Sequence, residues 1–410
     1  MIWIAIFFLC IIELYAWSKY RDLICPAVIH NILWIVSLIG VVVFRLDSEV
    51  KQLPLVVICV GSIIFQIGFT FSLRVSIGKR KDIKRWKYEA NRQMIKGLIV
   101  VVVLASLPSI YQYYRYLSGS NIGIYQMLTT VDENLALPSF FAYYRKIVEY
   151  LSLAFLTIYW KMDCKKRRNV RKYVFVLFII AIAFVATVPT RNGILSYLLP
   201  LVILYIATHP IRNRRIILYG FISIVGFMGL YYVISLGKYW YLYNSASSAL
   251  NVLGDEIKVY LSGSIIAFGE TLKSHAYMYG GKNTFRFFMA LGDAVFGTST
   301  AVKLTNEFVY LQGFTTNVYT FYDFYLRDFG LGYALIAQFI VACIHGGTYK
   351  GVCHENAFQT YMFSLLSYPL VMQFFQDQYI ALLSTWIQVV IVGWIILGTN
   401  LFIVKSRIEE

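Results

Sequence analysis

The sequence predicts an all-α, polytopic integral membrane protein of about eleven transmembrane helices (ten to twelve), with one long, partly helical external loop. Two observations predict this fold class. The chain is 59% hydrophobic and only 14% charged, with a mean hydropathy of +0.64, which is too apolar for a soluble chain of 410 residues. Apolar segments also recur along it, near the roughly 20 residues that a helix needs to cross a bilayer. Only residues 237–328 lack such a segment.

The predicted spans divide the chain into three regions. Region 1–236 holds eight transmembrane helices, region 237–328 is the external loop, and region 329–410 holds three more helices and a tail. The first segment has neither a basic start nor a small-residue cleavage site, so it is interpreted as a retained span. The spans are predicted at 2–17, 27–44, 54–73, 97–114, 146–160, 173–189, 193–208, 216–236, 329–349, 357–374 and 379–403.

Positive charge predicts the orientation of these spans. Lys and Arg concentrate in alternate connections, most densely in 74–96 and 161–172, and such connections stay in the cytoplasm. The N-terminus and the 237–328 loop are therefore predicted outside, and the C-terminus inside. The net charge of +16 is explained by insertion and by contact with anionic membrane lipids, so no nucleic-acid partner is predicted.

Two helices are predicted inside the long loop. Apolar residues recur near helical spacing over 247–274, which favours an amphipathic helix on the outer membrane surface or packed over the spans. A second, short helix is predicted to start at Asn283 or Thr284, either of which could serve as its N-cap. The loop is therefore expected to be a folded lid over the outer face.

Basic residues on the predicted outer side are candidate ligands for a diphosphate. Arg191 lies in VPTRNG between two apolar segments, where an arginine is costly unless it meets an anion, and its planar fork suits phosphate. Snorkelling to lipid headgroups is the alternative. Lys282 and Arg286 flank the start of the predicted short helix, whose dipole favours an anion. A solvated surface remains the alternative for both.

The segment FYDFYLRDFG contains a further candidate cation, Arg327. Asp323 lies four residues before it, which is the ordinary favourable ion pair on a helix. Polar and aromatic residues around it predict a sugar-binding mouth, although tyrosine is also common at membrane interfaces. These candidate sugar-binding residues are Asn317, Tyr319, Tyr322 and Tyr325.

Several residues compete for the role of general base. His275 is the only histidine predicted on the outer side, and it could act near neutral pH, although a lone loop histidine is more often inert. The competing carboxylates are Asp328, Glu307 and Asp293.

A metal site has little support in the sequence. The six cysteines have no metal-ligand spacing, and none lies in 237–328. Asp47 and Glu49 have a spacing that could hold a divalent cation, but two acids in a short polar loop are common by chance. No metal and no cofactor is therefore predicted.

Three segments, in this order, resemble the oligosaccharide repeat-unit polymerases, the O-antigen polymerase family of bacterial inner membranes. They cover about 189 to 339, whereas the N-terminal half resembles the family only in being made of hydrophobic spans. The segments are VPTRNGILSYLLPLVILY, the loop run EIKVYLSGSIIAFGETL followed by GGKNTF, and TTNVYTFYDFYLRDFGLGYALIAQF.

The resemblance implies a metal-independent glycosyltransferase on the outer face of the inner membrane, with a fold related to C-type glycosyltransferases. It implies transfer of a growing glycan from undecaprenyl diphosphate onto a new lipid-linked repeat unit. By motif position it assigns the diphosphate to Arg191 and, less directly, to Arg286 and Arg327. The implied partners are lipid-linked oligosaccharides and membrane lipids, with a chain-length regulator and a flippase as further candidates.

Two alternatives stay open. An O-antigen ligase or another C-type glycosyltransferase would use a different acceptor, and a metal bound by Asp47 and Glu49 would be its signature. A flippase or other transporter of lipid-linked oligosaccharide would place charged residues in mid-span around a central cavity. The middle of the predicted spans holds almost no charges, which argues against transport.

Overall fold

The computed structural model describes residues 1–46, 48–75, 86–119, 139–187, 191–222, 225–226, 229, 232, 254, 257–274, 279–303, 306–311 and 314–407. Over these residues the chain is mostly helical. Six of the helices are long and apolar enough to cross a membrane, as expected of a multi-pass membrane protein. These six segments are Ile2–Tyr20, Pro26–Val43, Gln52–Arg74, Arg92–Gln112, Cys164–Ala186 and Leu331–Cys353.

The elements follow one another in a simple order. The N-terminal part comprises α1 (Ile2–Tyr20), α2 (Pro26–Val43), α3 (Gln52–Arg74), β1 (Trp86–Ala90), α4 (Arg92–Gly119), α5 (Ser139–Lys161), α6 (Cys164–Thr187) and α7 (Arg191–Thr208). The remainder comprises a π-helix (Val259–Gly263), α8 (Ser264–Ser274), α9 (Arg286–Phe296), β2 (Val309–Leu311), β3 (Phe314–Thr316), α10 (Tyr322–Phe329), α11 (Leu331–Cys353), α12 (Ala357–Met372), α13 (Leu383–Gly393), a π-helix (Trp394–Gly398) and β4 (Ile403–Arg407).

The predicted spans agree with these helices in position. Each one overlaps a helix, except that the span predicted at 216–236 falls largely outside the described residues. Six helices meet the length and composition needed for a span. The figure of about eleven spans therefore stays a prediction.

The mostly helical chain agrees with the predicted all-α class, and its described residues also form two small antiparallel strand pairs. One is a hairpin in which β2 pairs with β3, so that Val309 faces Thr316. The other joins β1 to β4, with Tyr88 opposite Lys405. Tyr, Trp, Ile and Val in these strands favour extended backbone. Both members of the second pair come from segments predicted to be cytoplasmic.

Contacts divide the chain into two compact units. The first comprises Met1–Lys79, Gly254–Lys350 and Leu366–Ile387. The second comprises Arg80–Leu253, Gly351–Leu365 and Gln388–Glu410. In the second unit, α5 packs on α6 and α7, and the hydroxyls of Ser152 and Tyr197 share a hydrogen bond of 2.8 Å.

In the first unit, glycines let α3 and α11 approach closely. A Cβ on Gly68 would lie 2.7 Å from the carbonyl oxygen of Phe339, and one on Gly346 would lie 2.7 Å from that of Phe69. Only glycine fits where two backbones come this near. Small residues serve the same purpose at many contacts between membrane helices, where close packing drives association.

Of the two placements predicted for the loop helix over 247–274, its described part agrees with the second, packing against other helices. Its described part is the π-helix followed by α8, and it packs against α2 and α3. Four consecutive residues of α8, Ile265 to Phe268, are buried, whereas the side chain of Glu270 near its end is 46% exposed. Ser37 of α2 donates a hydrogen bond of 2.5 Å to the carbonyl oxygen of Leu261 in the π-helix.

Candidate functional site

The short helix α10 is the centre of the candidate site. Its residues from Tyr322 to Asp328 are all buried, although three of them carry a charge. Gly330 follows with a φ of 84°, which favours glycine and turns the chain into α11. Because buried charges are costly unless they are paired or hydrogen-bonded, the partners of these side chains define the site.

Arg327 lies in a polar and aromatic enclosure within the first unit. Its Nε is 2.9 Å from Oδ2 of Asp323, one turn earlier on the same helix. The guanidinium lies 4.7 Å from the ring centre of Tyr319 and 5.9 Å from that of Tyr279, within the range of cation–π attraction. Nη2 donates a 3.4 Å hydrogen bond to the hydroxyl of Thr271. The site therefore combines one cation, one carboxylate and two ring faces.

These neighbours stabilise the charged form of the Arg327 guanidinium. Burial by itself lowers the pKa of Arg327, but Asp323 and Tyr319 favour the charged form and the pKa lies above its ordinary value. The guanidinium is therefore charged in the folded protein, and Asp323 keeps the pair neutral as a whole. The predicted helical pair between these two residues is confirmed, with both side chains buried.

Asp328, the first predicted catalytic acid, is fully engaged in holding the loop. Its Oδ1 accepts hydrogen bonds from the backbone N–H and the side-chain amide of Asn283. Its Oδ2 accepts from the backbone N–H and the hydroxyl of Thr284. The predicted N-cap was therefore wrong: α9 begins at Arg286 after Phe285, because Asn283 and Thr284 bind Asp328 instead.

The two predicted cations of the loop, Arg286 and Lys282, do not form a common anion-binding site in this structure. Arg286 donates from Nε to the carbonyl oxygen of Val302 at 2.8 Å, and this bond ties down the chain that follows α9. Lys282 is exposed. The N–H groups of Asn283 and Thr284, which could have met an external phosphate, already meet the carboxylate of Asp328.

The predicted sugar-binding tyrosines lie in the core. Tyr319, Tyr322 and Tyr325 are each at most 2% exposed, so no ring face is open to a sugar in this conformation. Tyr319 donates its hydroxyl to the backbone oxygen of Glu307 at 3.1 Å, and the side chain of Glu307 is exposed. Asn317 is partly exposed, and it is the member of the predicted set that an external ligand could reach most directly.

Three other predicted residues lie wholly or partly outside the described residues. The backbone of Arg191 begins α7, but its side chain is outside the described residues, as are His275 and Asp47. Asp293, a further competing acid, accepts hydrogen bonds from Thr298, Thr300 and Ala301 after the end of α9. These bonds, the one from Thr298 first, hold the pKa of Asp293 well below its ordinary value.

Asp377 is an acid that sequence reasoning missed. It lies in the connection between α12 and α13, is 1% exposed, and accepts a 3.1 Å hydrogen bond from the hydroxyl of Tyr325 on α10. Backbone N–H groups of Tyr379 and Ala381 also donate to it, at 3.3 and 2.9 Å. Burial raises the pKa of Asp377 to about 6 even though these hydrogen bonds lower it. The sequence feature that could have indicated Asp377 is its position in FFQDQY, a short polar connection between two apolar spans.

A buried polar cluster lies in the same unit. The hydroxyl of Tyr379 is 2.7 Å from Nε2 of His345 and 3.3 Å from the amide nitrogen of Gln373, and Gln373 in turn accepts from Gln338 at 3.3 Å. His30 of α2 lies beside Gln373, and neither of its ring nitrogens has an aligned hydrogen-bond partner among the described residues. Such groups inside membrane helices are costly and usually functional.

Neither a set of metal ligands among the described residues nor a similar protein adds to this site. Within the described parts of the chain, no group of three or more His, Cys, Asp or Glu side chains is arranged to hold a metal ion. The chain matches no protein-family model, no curated protein and no solved structure.

Proposed function

We propose that the chain is a glycosyltransferase that polymerises undecaprenyl-diphosphate-linked oligosaccharide repeat units into O-antigen or a similar surface polysaccharide. It works on the outer face of the bacterial inner membrane, with its N-terminus outside and its C-terminus in the cytoplasm. One observation carries the proposal: the segment 315–330, part of one of the three segments that resemble such polymerases, builds the buried arginine site around Arg327.

The arginine suits the leaving group of this reaction. Breaking the bond between the anomeric carbon and the diphosphate develops negative charge on the phosphate oxygens, and a fixed cation stabilises that charge as it grows. Asp323 contacts Nε of Arg327, so the terminal nitrogens are the ones to donate to phosphate. Tyr279 or Tyr319 must shift to admit the phosphate, because the guanidinium is buried beneath these rings.

The reaction also needs a proton acceptor. The new glycosidic bond forms as an acceptor hydroxyl of the incoming repeat unit loses its proton to a base. Asp328 would first have to release Asn283 and Thr284, which favours a structural role for it. Asp377 joins His275 and Glu307 as a candidate, because it is joined to α10 through Tyr325.

Loss of the polymer is the direct test. Cells in which Arg327→Gln replaces the wild-type protein are expected to carry single repeat units on their surface lipid core, seen as the collapse of a glycan ladder on a gel. Lys303→Gln is the matched control, since it removes an exposed cation from the same loop that is not among the candidate ligands. A full ladder from abundant, correctly inserted Arg327→Gln protein contradicts the proposal.

A flippase of lipid-linked oligosaccharide is a second candidate, and the buried polar cluster favours it. His30, Gln338 and His345 are buried within α2 and α11, and they are polar side chains that the count of Asp, Glu, Lys and Arg in mid-span does not include. Product length separates the two functions. Loss of a polymerase leaves single repeats at the surface, whereas loss of a flippase leaves none.

A further inference from the structure

A basic pocket lies between the start of α4 and the first turns of α6, in the second unit. Its volume is about 480 Å³. Four of the six lining residues are cations and none is an acid. The lining consists of Arg92, Arg168, Asn169, Arg171, Lys172 and Phe175.

The four cations have no ion pair with a carboxylate among the described residues, and all are exposed. Their neighbours on α6 are used differently. Lys166 forms an ion pair with Glu89, and Arg167 donates to the carbonyl oxygens of Met162 and Trp160 at 2.7 and 2.6 Å. Within the pocket, Lys172 lies 5.1 Å from the ring centre of Tyr173, and Arg92 donates a hydrogen bond to the hydroxyl of Tyr173. Neither contact neutralises a charge, so the pocket keeps its positive charge for an anion.

Apolar side chains continue from the pocket along both helices. On α6, Phe175 is 60% exposed, and Val176 and Ile179 follow it. On α4, which packs against α6, Val100 and Leu107 are exposed and lie within about a quarter turn of Arg92. Both helices are long and apolar enough to cross a membrane. An occupant with a charged head and apolar chains would match both parts of this surface.

We propose that this pocket binds the phosphodiester headgroup of an anionic phospholipid, with the acyl chains lying along the exposed side chains of α4 and α6. The arginine forks donate paired hydrogen bonds to the phosphate oxygens, and Lys172 adds a point charge. Basic pockets between membrane helices bind anionic headgroups in this way. The segments that form the pocket belong to connections predicted to be cytoplasmic, so this ligand is distinct from the glycan donor of the outer face.

Lipid binding to the purified, full-length chain in detergent tests the proposal without any variant. Native mass spectrometry would count bound cardiolipin, phosphatidylglycerol and phosphatidylethanolamine. Binding of the two anionic lipids should be at least about tenfold tighter than that of phosphatidylethanolamine. Equal binding of all three overturns the proposal. Displacement of cardiolipin by an equal concentration of inorganic phosphate also overturns it, because a free anion would then be the occupant.

A pair of variants locates the site. Arg168→Gln with Arg171→Gln should weaken cardiolipin binding by about tenfold or more, at roughly fivefold for each charge. Arg214→Gln with Arg215→Gln removes the same charge from another connection predicted on the same side, and it should change binding by less than about twofold. An equal loss of cardiolipin binding in both double variants would show diffuse electrostatic attraction, and it would overturn the proposed binding pocket. If the first pair fails to insert, Arg168→Lys with Arg171→Lys keeps the charge and should still weaken binding.

Discussion

The carboxylate of Asp328 accepts two hydrogen bonds from Thr284, one from the backbone N–H at 2.6 Å and one from the hydroxyl at 2.7 Å. Two further bonds, from Asn283, complete its shell. All three residues are buried, and 44 positions separate Asp328 from Thr284. The carboxylate is thus an internal anion that fastens the turn before α9 to the end of α10.

Asp328→Asn should destabilise the protein by about 2–4 kcal/mol, because the NH2 that replaces one carboxylate oxygen cannot accept the hydrogen bonds that buried donors offer. The midpoint of thermal unfolding in detergent measures the effect. Asp293→Asn is the control, since that carboxylate also collects several hydrogen bonds but faces solvent, and a smaller shift is expected. Asp328→Asn protein with wild-type stability and no transfer activity would instead support the catalytic role predicted for Asp328.

The pair of Asp323 and Arg327 allows stability and function to be separated. Arg327→Gln leaves Asp323 buried without its cation and should cost about 3–5 kcal/mol. Asp323→Asn combined with Arg327→Gln should recover most of that stability, because no buried charge remains unpaired. Transfer activity should stay at least about 100-fold below wild type in both proteins, since the cation is missing. Activity that returns with stability would show that Arg327 only holds the fold.

The raised pKa of Asp377 predicts that the stability of the folded protein depends on pH. The pKa of Asp377 is raised to about 6 by burial, whereas an aspartate in an unfolded chain titrates near about 3.9. The folded protein binds more protons than the unfolded chain between these values, so this contribution is fully present below about pH 4 and is lost as the pH rises through about 6. The loss is on the order of 3 kcal/mol.

Unfolding of the purified protein from about pH 4 to 7.5 measures this effect. Asp377→Asn should flatten the profile, because the neutral amide does not titrate. Asp293→Asn should leave the slope above about pH 5 unchanged, since the pKa of Asp293 is lowered and an unfolded aspartate is already ionised there. A wild-type profile that is flat over this range would be evidence against a buried, titrating Asp377.

Gly61 is expected to be intolerant of any side chain. A Cβ there would lie 2.7 Å from Cζ of Tyr322, and it would meet the tyrosine hydroxyl as well. Gly61→Ala should cost about 1–3 kcal/mol in unfolding free energy, and Tyr322→Phe should recover part of it by removing the hydroxyl. Gly97→Ala is the matched control in another helix, where a Cβ would have no neighbour within 4 Å, and a gain of up to about 1 kcal/mol is expected. Equal effects of the two changes would contradict the packing of α10 against α3.

The resemblance and the charge pattern directed attention to 315–330, and the helical spacing of Asp323 and Arg327 was readable because their pairing depends only on residues of one turn. Asn283 and Thr284 do not cap α9, although their local sequence favours that role. As N-caps they would bind the helix that follows them, but a buried carboxylate from a distant helix offers both of them a better partner.

By itself, the sequence determined the membrane character of this protein and the positions of its apolar helices. A bilayer imposes the same length and apolarity on every span, so both features can be recognised from a run of consecutive residues. Only the tertiary structure decided that the tyrosines of α10 are buried and that Asp377 lies against Tyr325. It also decided that Asp328 holds the turn before α9 through hydrogen bonds. Each of these depends on which distant groups meet in the core, where an acid's hydrogen-bond partners and solvent exposure determine its chemistry.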